Sequence, residues 1–170
     1  MRAIDQLLLD FDRESGVTRV LLERVPEDRI AWRPHPRSTS LGDLALHLAS
    51  LPGWVKVTLR QAEFDINPPE GMQASPPSWV SRQALLATFD ANVASARAAL
   101  AAAMDGELQA PWTLKSCGHP LFTVPRGTAL RTWAFNHAIH HRGQLSVYLR
   151  LCDVPVPAMY GPSADVPLSL

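Results

Sequence analysis

The stretch TWAFNHAIHHRGQLSVYLR, residues 132–150, belongs to a segment whose apolar periodicity predicts a helix over about residues 127–151. It contains three histidines within five residues, His137, His140 and His141. Because a helix advances ~100° per residue, the first and last of them share one face, one turn apart. On a helical wheel this face is the centre of the apolar stripe, with His140 at its edge. We therefore expect two imidazoles to point into the core.

The spacing of His137 and His141 is typical of a metal site, since two imidazoles at positions i and i+4 can bind one ion. Metalloprotease helices use the same spacing but place a catalytic glutamate directly after the first histidine. Here that position is Ala138, and the predicted helix contains no carboxylate at all. The pattern therefore favours a metal site and argues against a protease of that class.

A third ligand is needed, and the second predicted helix offers His47 on its inward side. By contrast, His35 lies in a proline-rich connector and His119 in a loop. Three neutral imidazoles with an open fourth position are typical of reactive metal sites and not of closed structural ones. The alternative is that each histidine is a core residue whose ring is satisfied by hydrogen bonds. From the residues alone, both readings stay open for His47, His137 and His141.

The rest of the chain predicts three more helices, at about 4–22, from Leu41 to before residue 66, and from between Ser78 and Ser81 to about 104–106. Pro52 lies inside the second and should kink or break it. Residues 105–126 lose the helical period and contain short extended pieces, WTL and LFTV, which a small hairpin would accommodate. Four helices without a convincing run of core strands predict an all-α four-helix bundle. We expect one domain over residues 1–170, with a long connection between helices 3 and 4.

The composition narrows the classes of partner. The 170 residues carry 16 basic and 16 acidic side chains, so the formal net charge is zero. Nucleic-acid or anionic-membrane binding would favour a basic surplus, and neither partner is expected. No segment approaches the roughly 20 apolar residues that a membrane helix needs. With two cysteines and no signal-peptide pattern at the start, we expect a cytoplasmic protein with free thiols.

Two residues near His47 are candidates for its surroundings. Asp43 lies one turn before it and can orient the imidazole, although its position three residues after Ser40 favours helix capping. Trp54, two turns after His47, can line the mouth of a cavity or simply pack in the core.

Three residues of the last helix also have alternative readings. His140 can carry protons beside the site, or make a packing contact there or at a subunit interface. Gln144 is nearly in line with His137. It can hydrogen-bond a ligand imidazole or a bound water, because such contacts orient metal ligands, or it can be a buried amide that bonds to the backbone. Arg142 lies on the opposite face, where we expect a structural salt bridge or a cap on a neighbouring chain.

These residues also carry a family likeness, and the chain resembles the DinB family within the DinB/YfiT-like superfamily. The likeness covers AWRPHPRSTSLGDLALHLASLPGW at residues 31–54 and NHAIHHRGQLSVYLRLCDVPVPAMYGPSAD at 136–165. Its most specific part is HHRGQ followed by YGPSAD.

The resemblance implies a four-helix bundle in up-down-down-up order, often a homodimer, with a divalent metal on His47, His137 and His141. It makes nickel or zinc the leading candidates, with iron or manganese as others. Members include metal-dependent thiol S-transferases, a mycothiol-dependent isomerase and metal-dependent hydrolases. We therefore expect a metal-dependent enzyme that activates a thiol or water, either a transferase or a small-molecule hydrolase. A low-molecular-weight thiol is a candidate cofactor, although no motif for one is recognisable. The alternative is a non-catalytic metal-binding stress-response or ligand-binding protein.

Overall fold

Helices make up most of this computed structural model, which describes residues 2–69 and 77–167. They are α1 (Ala3–Leu22), α2 (Leu41–Ser50), α3 (Gly53–Arg60), α4 (Arg82–Ala101), α5 (Arg126–Ala129) and α6 (His137–Leu151), with a π-helix at Leu130–Asn136 between the last two. Short 3₁₀ turns occur at Glu27–Arg29 and Asp105–Gln109. Helix α4 packs against α1, α2 and α3, while α6 packs against α1 and α2. The expectation of a mostly helical fold is confirmed.

The second predicted helix is broken at Pro52, so that it becomes α2 and α3. Proline has no backbone N–H and its ring clashes with the preceding helical turn. The chain nevertheless stays in right-handed helical conformation through Leu51 and Pro52, and the N–H of Trp54 donates to the Leu51 carbonyl at 3.0 Å. The two helices therefore continue in sequence but form separate hydrogen-bonded units.

Serine caps start two of the helices. The hydroxyl of Ser40 accepts the N–H of Asp43 at 3.1 Å at the start of α2, and Ser81 accepts the N–H of Ala84 at 3.1 Å at the start of α4. Such caps satisfy one of the N–H groups that the first turn of a helix leaves free. They fix where each helix begins, and in α2 this places His47 two turns from the start.

A three-stranded sheet departs from the all-α prediction, which is wrong in this part. Strands β2 (Pro111–Ser116) and β3 (His119–Pro125) form an antiparallel hairpin within the aperiodic connection. Its turn residues Cys117 and Gly118 both have positive φ, as two-residue hairpins of this twist require. Strand β1 (Glu63–Asp65) pairs in parallel with β2. Three residues are too few to show a two-residue period, so the sequence gives no signal for β1.

The hydrophobic core fixes α2 beside α6, which is the arrangement on which the histidines depend. Leu44 and Leu48 of α2 share one buried cluster with Leu145 and Leu149 of α6. All four side chains are at most 2% exposed, and burying each contributes about 1.5–3 kcal/mol. A second cluster joins α1, α3, α4 and the π-helix, and a third joins the sheet to α5 through Trp112. The position of the site therefore follows from packing between helices that are far apart in sequence.

Candidate metal centre

Three imidazoles from two helices meet between α2 and α6. The Nε2 atoms of His47 and His137 are 3.4 Å apart, and those of His137 and His141 are 2.7 Å apart. The ring centroids of His47 and His141 are separated by 4.6 Å. Each of the three residues offers one ring nitrogen such that all three atoms lie within 4.8 Å of one another. The predicted trio is therefore brought together across 90 residues of sequence.

These distances fit a divalent ion. Zinc binds imidazole nitrogen at about 2.0–2.1 Å, and tetrahedral geometry then separates two ligating nitrogens by about 3.3–3.4 Å. The His47–His137 separation of 3.4 Å already has this value. The His137–His141 pair, at 2.7 Å, is closer and has to open by about 0.6 Å when both bind one tetrahedral ion. A change of this size needs only small rotations of two half-buried side chains.

The histidines lie at the edge of the core and not at its centre, which corrects the helical-wheel prediction. In α6 the buried residues are Arg142, Leu145 and Leu149, whereas His137 and His141 are half-buried. On a regular wheel the buried group is about a quarter of a turn away from the histidines. The offset lies within the regular helix α6, where packing against α1 and α2 decides which face is buried.

A hydrogen bond orients the ring of His141. Its Nδ1 atom lies 2.7 Å from the side-chain oxygen of Gln144, so this nitrogen carries the proton and Nε2 presents its lone pair. That lone pair faces the Nε2 of His137 at 2.7 Å.

The surroundings keep these imidazoles neutral. Burial, followed by the neighbouring His141 and His137, lowers the pKa of His47 to about 4. Burial also lowers the pKa of His137 and that of His141, and the hydrogen bond to Gln144 only partly opposes the shift at His141. A neutral imidazole is the form that binds a metal. At pH 7 the three rings are therefore in the neutral form that a metal ion needs, with no protons to release first.

Four further candidates were placed near this site by sequence. The exposed ring of His140 lies 5.0 Å from that of His141, centroid to centroid, and Gln144 contacts His141 as described. The carboxylate of Asp43 accepts the Ser40 hydroxyl at 2.6 Å, which makes it part of the helix cap. Trp54 packs edge-on against Phe64 and Trp112 in an aromatic cluster.

A cavity of about 280 Å³ opens next to His47. It is lined by Asp43, Leu46, His47, Ser50 and Pro77. Among the lining residues that the structure describes, the ionisable groups are the imidazole and the carboxylate of Asp43. The cavity is large enough for a small molecule to approach the ligand histidine from the side of α2.

Arg142, which follows His141 directly, is buried and joins three parts of the chain. It is 1% exposed, and its guanidinium donates to the Glu14 carbonyl at 3.0 Å and to Thr18 Oγ1 at 3.1 Å. It also contacts the Glu14 carboxylate and the Tyr160 hydroxyl. The expected salt bridge is therefore present, but within the chain and inside the core. The sequence did not predict that Arg142 is buried, because the helical wheel places it on the polar face of the helix.

Comparisons with solved structures concern the fold. Two similar structures are a DinB-like protein from Bacillus subtilis and one from Bacillus cereus, each with 22% sequence identity and a TM-score of 0.68. The first match covers 91% of this chain and 97% of that protein, and the second covers 90% and 95%. At this identity the two structures establish the fold alone.

The sequence comparisons concern the family of the chain. None of the curated proteins matches this sequence. Among the described residues, no helix is long and apolar enough to span a bilayer. The sequence model of the DinB superfamily matches residues 10–145, which is most of the chain. The chain therefore belongs to the DinB superfamily.

Proposed function

We propose that this protein binds a divalent metal ion through His47, His137 and His141 and uses it to activate a thiol or water against a small-molecule substrate. The observation that carries the proposal is the convergence of three Nε2-bearing rings, with ligand atoms within 4.8 Å of one another, from two helices. A bound divalent ion supplies Lewis acidity, which lowers the pKa of a coordinated thiol or water. The reaction is then a thiol S-transfer or a hydrolysis.

The protein's own contribution is to hold neutral, oriented ligands and to leave one side of the site accessible. Gln144 fixes the His141 ring, and burial lowers the pKa of His47 far enough that protons do not compete at pH 7. The three histidines are only half-buried, so a small molecule can reach the centre between them. The absence of acidic residues from positions 126–151 removes a helix-borne carboxylate base and favours a nucleophile activated at the metal itself.

The donor set guides the choice of metal. Imidazole ligands suit zinc, nickel and iron, whereas manganese prefers carboxylate and carbonyl oxygens. The expectation of nickel or zinc is therefore supported by the ligand chemistry, with iron next and manganese last. A low-molecular-weight thiol as co-substrate belongs to the same proposal. It is supported by the uncompensated dication charge of a neutral three-histidine shell, which favours an anionic fourth ligand such as a thiolate.

Three further expectations belong to this proposal. We propose the up-down-down-up order for the helices. We propose assembly into a homodimer, which light scattering on the purified protein tests directly. We also propose a cytoplasmic location, where Cys117 and Cys152 stay reduced.

Metal content tests the site. Protein purified without an affinity tag is expected to carry about one metal ion per chain by elemental analysis. His47→Ala is expected to lose it. The matched control is His140→Ala, because His140 is exposed and adjacent to the trio without belonging to it. Equal metal content in wild type and His47→Ala would refute the site.

Activity tests the chemistry. The metal-loaded protein is screened with small thiols against an aryl chloride or an epoxide, and with activated esters in the absence of thiol. Turnover that disappears with His47→Ala but not with His119→Ala, a change at an exposed histidine of β3 outside the trio, supports the enzyme. Metal binding without turnover in either screen would instead favour the non-catalytic alternative, a metal-binding stress-response or ligand-binding protein.

A further inference from the structure

We propose that two adjoining cavities along α2 form the substrate site, and that Asp43 and Arg33 select a ligand with an α-amino-acid head group, which carries an ammonium and a carboxylate on one carbon. This inference deepens the proposed function and rests on it for the reaction, because one of the cavities reaches the metal ligand His47. It assigns a class of substrate, which the three histidines alone do not specify.

The two cavities share Asp43 in their linings. The first, of about 280 Å³, is the cavity beside His47 described above. The second has a volume of about 250 Å³, and its lining residues include Ile30, Arg33, Ser40, Asp43 and Trp79. Asp43 lies four residues before His47, which corresponds to about 6 Å along the axis of α2. A small molecule whose polar head lies beside Asp43 therefore reaches His47 with a side chain of three or four bonds.

The second cavity carries two opposite charges that do not neutralise each other. Asp43 and Arg33 both line it, yet neither forms an ion pair with the other or with any other described residue. The Oδ2 atom of Asp43 accepts the Ser40 hydroxyl at 2.6 Å, whereas Oδ1 has no hydrogen bond to a described residue. The Arg33 guanidinium donates through Nη1 to the Ser38 carbonyl at 3.3 Å, which leaves Nε and Nη2 as donors for a ligand.

A zwitterion satisfies both of these charges at once. An ammonium donates to the free oxygen of Asp43, and the planar guanidinium of Arg33 matches a carboxylate with two parallel hydrogen bonds. A ligand with only a carboxylate is repelled by Asp43, and a ligand with only an ammonium is repelled by Arg33. The pair of charges therefore discriminates against both kinds of singly charged ligand.

The start of α2 does not itself supply an anion site. The N–H groups of Leu41 and Gly42 donate to backbone carbonyls of the preceding connector at 2.9 Å each, and the N–H of Asp43 donates to the hydroxyl of its cap at 3.1 Å. Because these donors are already used, recognition of a carboxylate in the second cavity depends on Arg33.

Three matched ligands test the head group on the metal-free protein. L-norvaline carries both charges, pentanoate lacks the ammonium and n-butylamine lacks the carboxylate, and all three have the same propyl chain. In NMR titrations near neutral pH, we expect L-norvaline to bind about 10-fold more tightly than either of the others, with amide shifts centred on Arg33 and Asp43. No binding of L-norvaline, equal affinity for either singly charged ligand, or shifts confined to residues outside the two cavities would overturn the inference.

Two substitutions assign the charges. Asp43→Asn keeps an oxygen for the Ser40 hydroxyl and should abolish the preference for L-norvaline over pentanoate, whereas Arg33→Gln should abolish the preference over n-butylamine.

The matched controls are Asp28→Asn and Arg29→Gln, which remove the same charges from side chains that are 79% and 58% exposed and line neither cavity. Circular dichroism checks that each variant is folded, and the ligand series on the wild type decides the question for a variant that is not. Unchanged preferences in folded Asp43→Asn and Arg33→Gln, or equal losses in the controls, would contradict the assignment.

A thiol with the same head group connects this site to the metal. Cobalt-loaded protein is titrated with L-homocysteine and with 1-propanethiol, which lacks the head group, and thiolate binding is followed by the sulfur-to-cobalt absorption band. We expect half-saturation at about 10-fold lower concentration for L-homocysteine, and we expect this advantage to be lost in Asp43→Asn.

The two proposals fail in distinguishable ways. If cobalt does not bind, the proposed function is wrong, whereas the L-norvaline series still decides whether the second cavity recognises the head group. If cobalt binds but L-homocysteine has no advantage over 1-propanethiol, the metal site stands and the inference about Asp43 and Arg33 is wrong.

Discussion

Arg142→Ala removes a buried guanidinium that joins α6 to α1 and to the C-terminal tail. The side chain is 1% exposed, and its partner Glu14 is 20% exposed. Burial lowers the pKa of Arg142, and the Glu14 carboxylate opposes that shift. Burying a charge is unfavourable unless it is paired, so the ion pair offsets most of this cost. The substitution leaves the carboxylate of Glu14 without its cation.

The magnitude depends on which partners remain. Breaking a buried ion pair by removing one side typically costs about 3–5 kcal/mol of unfolding free energy. In Arg142→Ala, the Glu14 carbonyl still accepts a hydrogen bond from the Thr18 hydroxyl, at 2.8 Å, and the Glu14 carboxylate still accepts one from the Tyr160 hydroxyl. We therefore expect the lower end of the range, about 3 kcal/mol. At about 2–4 °C per kcal/mol for a domain of this size, the melting temperature should fall by about 6–12 °C.

The assay is urea unfolding of metal-free protein followed by circular dichroism, with thermal melting as a second readout. Arg150→Ala is the matched control, since Arg150 lies on the same helix and pairs with the tail residue Asp165 but is 48% exposed. Exposed ion pairs contribute about 0–1 kcal/mol to the unfolding free energy. In Arg150→Ala, the Asp165 carboxylate still accepts a hydrogen bond from the Val156 N–H at 2.8 Å. Equal losses for the two variants, or a loss below about 1 kcal/mol for Arg142→Ala, would refute the reasoning.

Three other predictions concern the site and the packing of α2. Gln144→Leu removes the acceptor of a ligand imidazole, and calorimetric titration with zinc should show an affinity about 10-fold lower or more, with an unchanged value contradicting the contact. The pKa of His47 is lowered to about 4, so below pH 6.5 the unfolded chain takes up a proton that the folded chain does not. In urea unfolding, the unfolding free energy of metal-free protein should therefore fall as the pH drops from 6.5 toward 4, and it should fall more steeply than that of His47→Ala. Gly42→Ala places a Cβ 3.1 Å from a neighbouring backbone oxygen and should cost about 1–3 kcal/mol in urea unfolding, whereas Gly143→Ala, with open space around its Cβ, should be neutral or stabilising.

Local patterns were enough to predict the helices. The periods of α1 and α4, the cap at Ser40 and the break at Pro52 depend on neighbouring residues, and the structure has them within a few positions of the prediction. The extended pieces WTL and LFTV indicated the hairpin of β2 and β3. Strand β1 and the π-helix were not predicted, because a three-residue strand and a short stretch of wider helical turn leave no periodic signal.

The sequence by itself singled out the three histidines as candidates, because the spacing of His137 and His141 and the helical context of His47 depend on local geometry. The tertiary structure alone decided that the three rings meet at one point and lie at the edge of the core. It also decided that Arg142 is buried, because this depends on Glu14 and Tyr160, which lie 128 and 18 residues away. The physical reason is that helix formation is a local process, whereas burial and convergence depend on side chains distant in sequence.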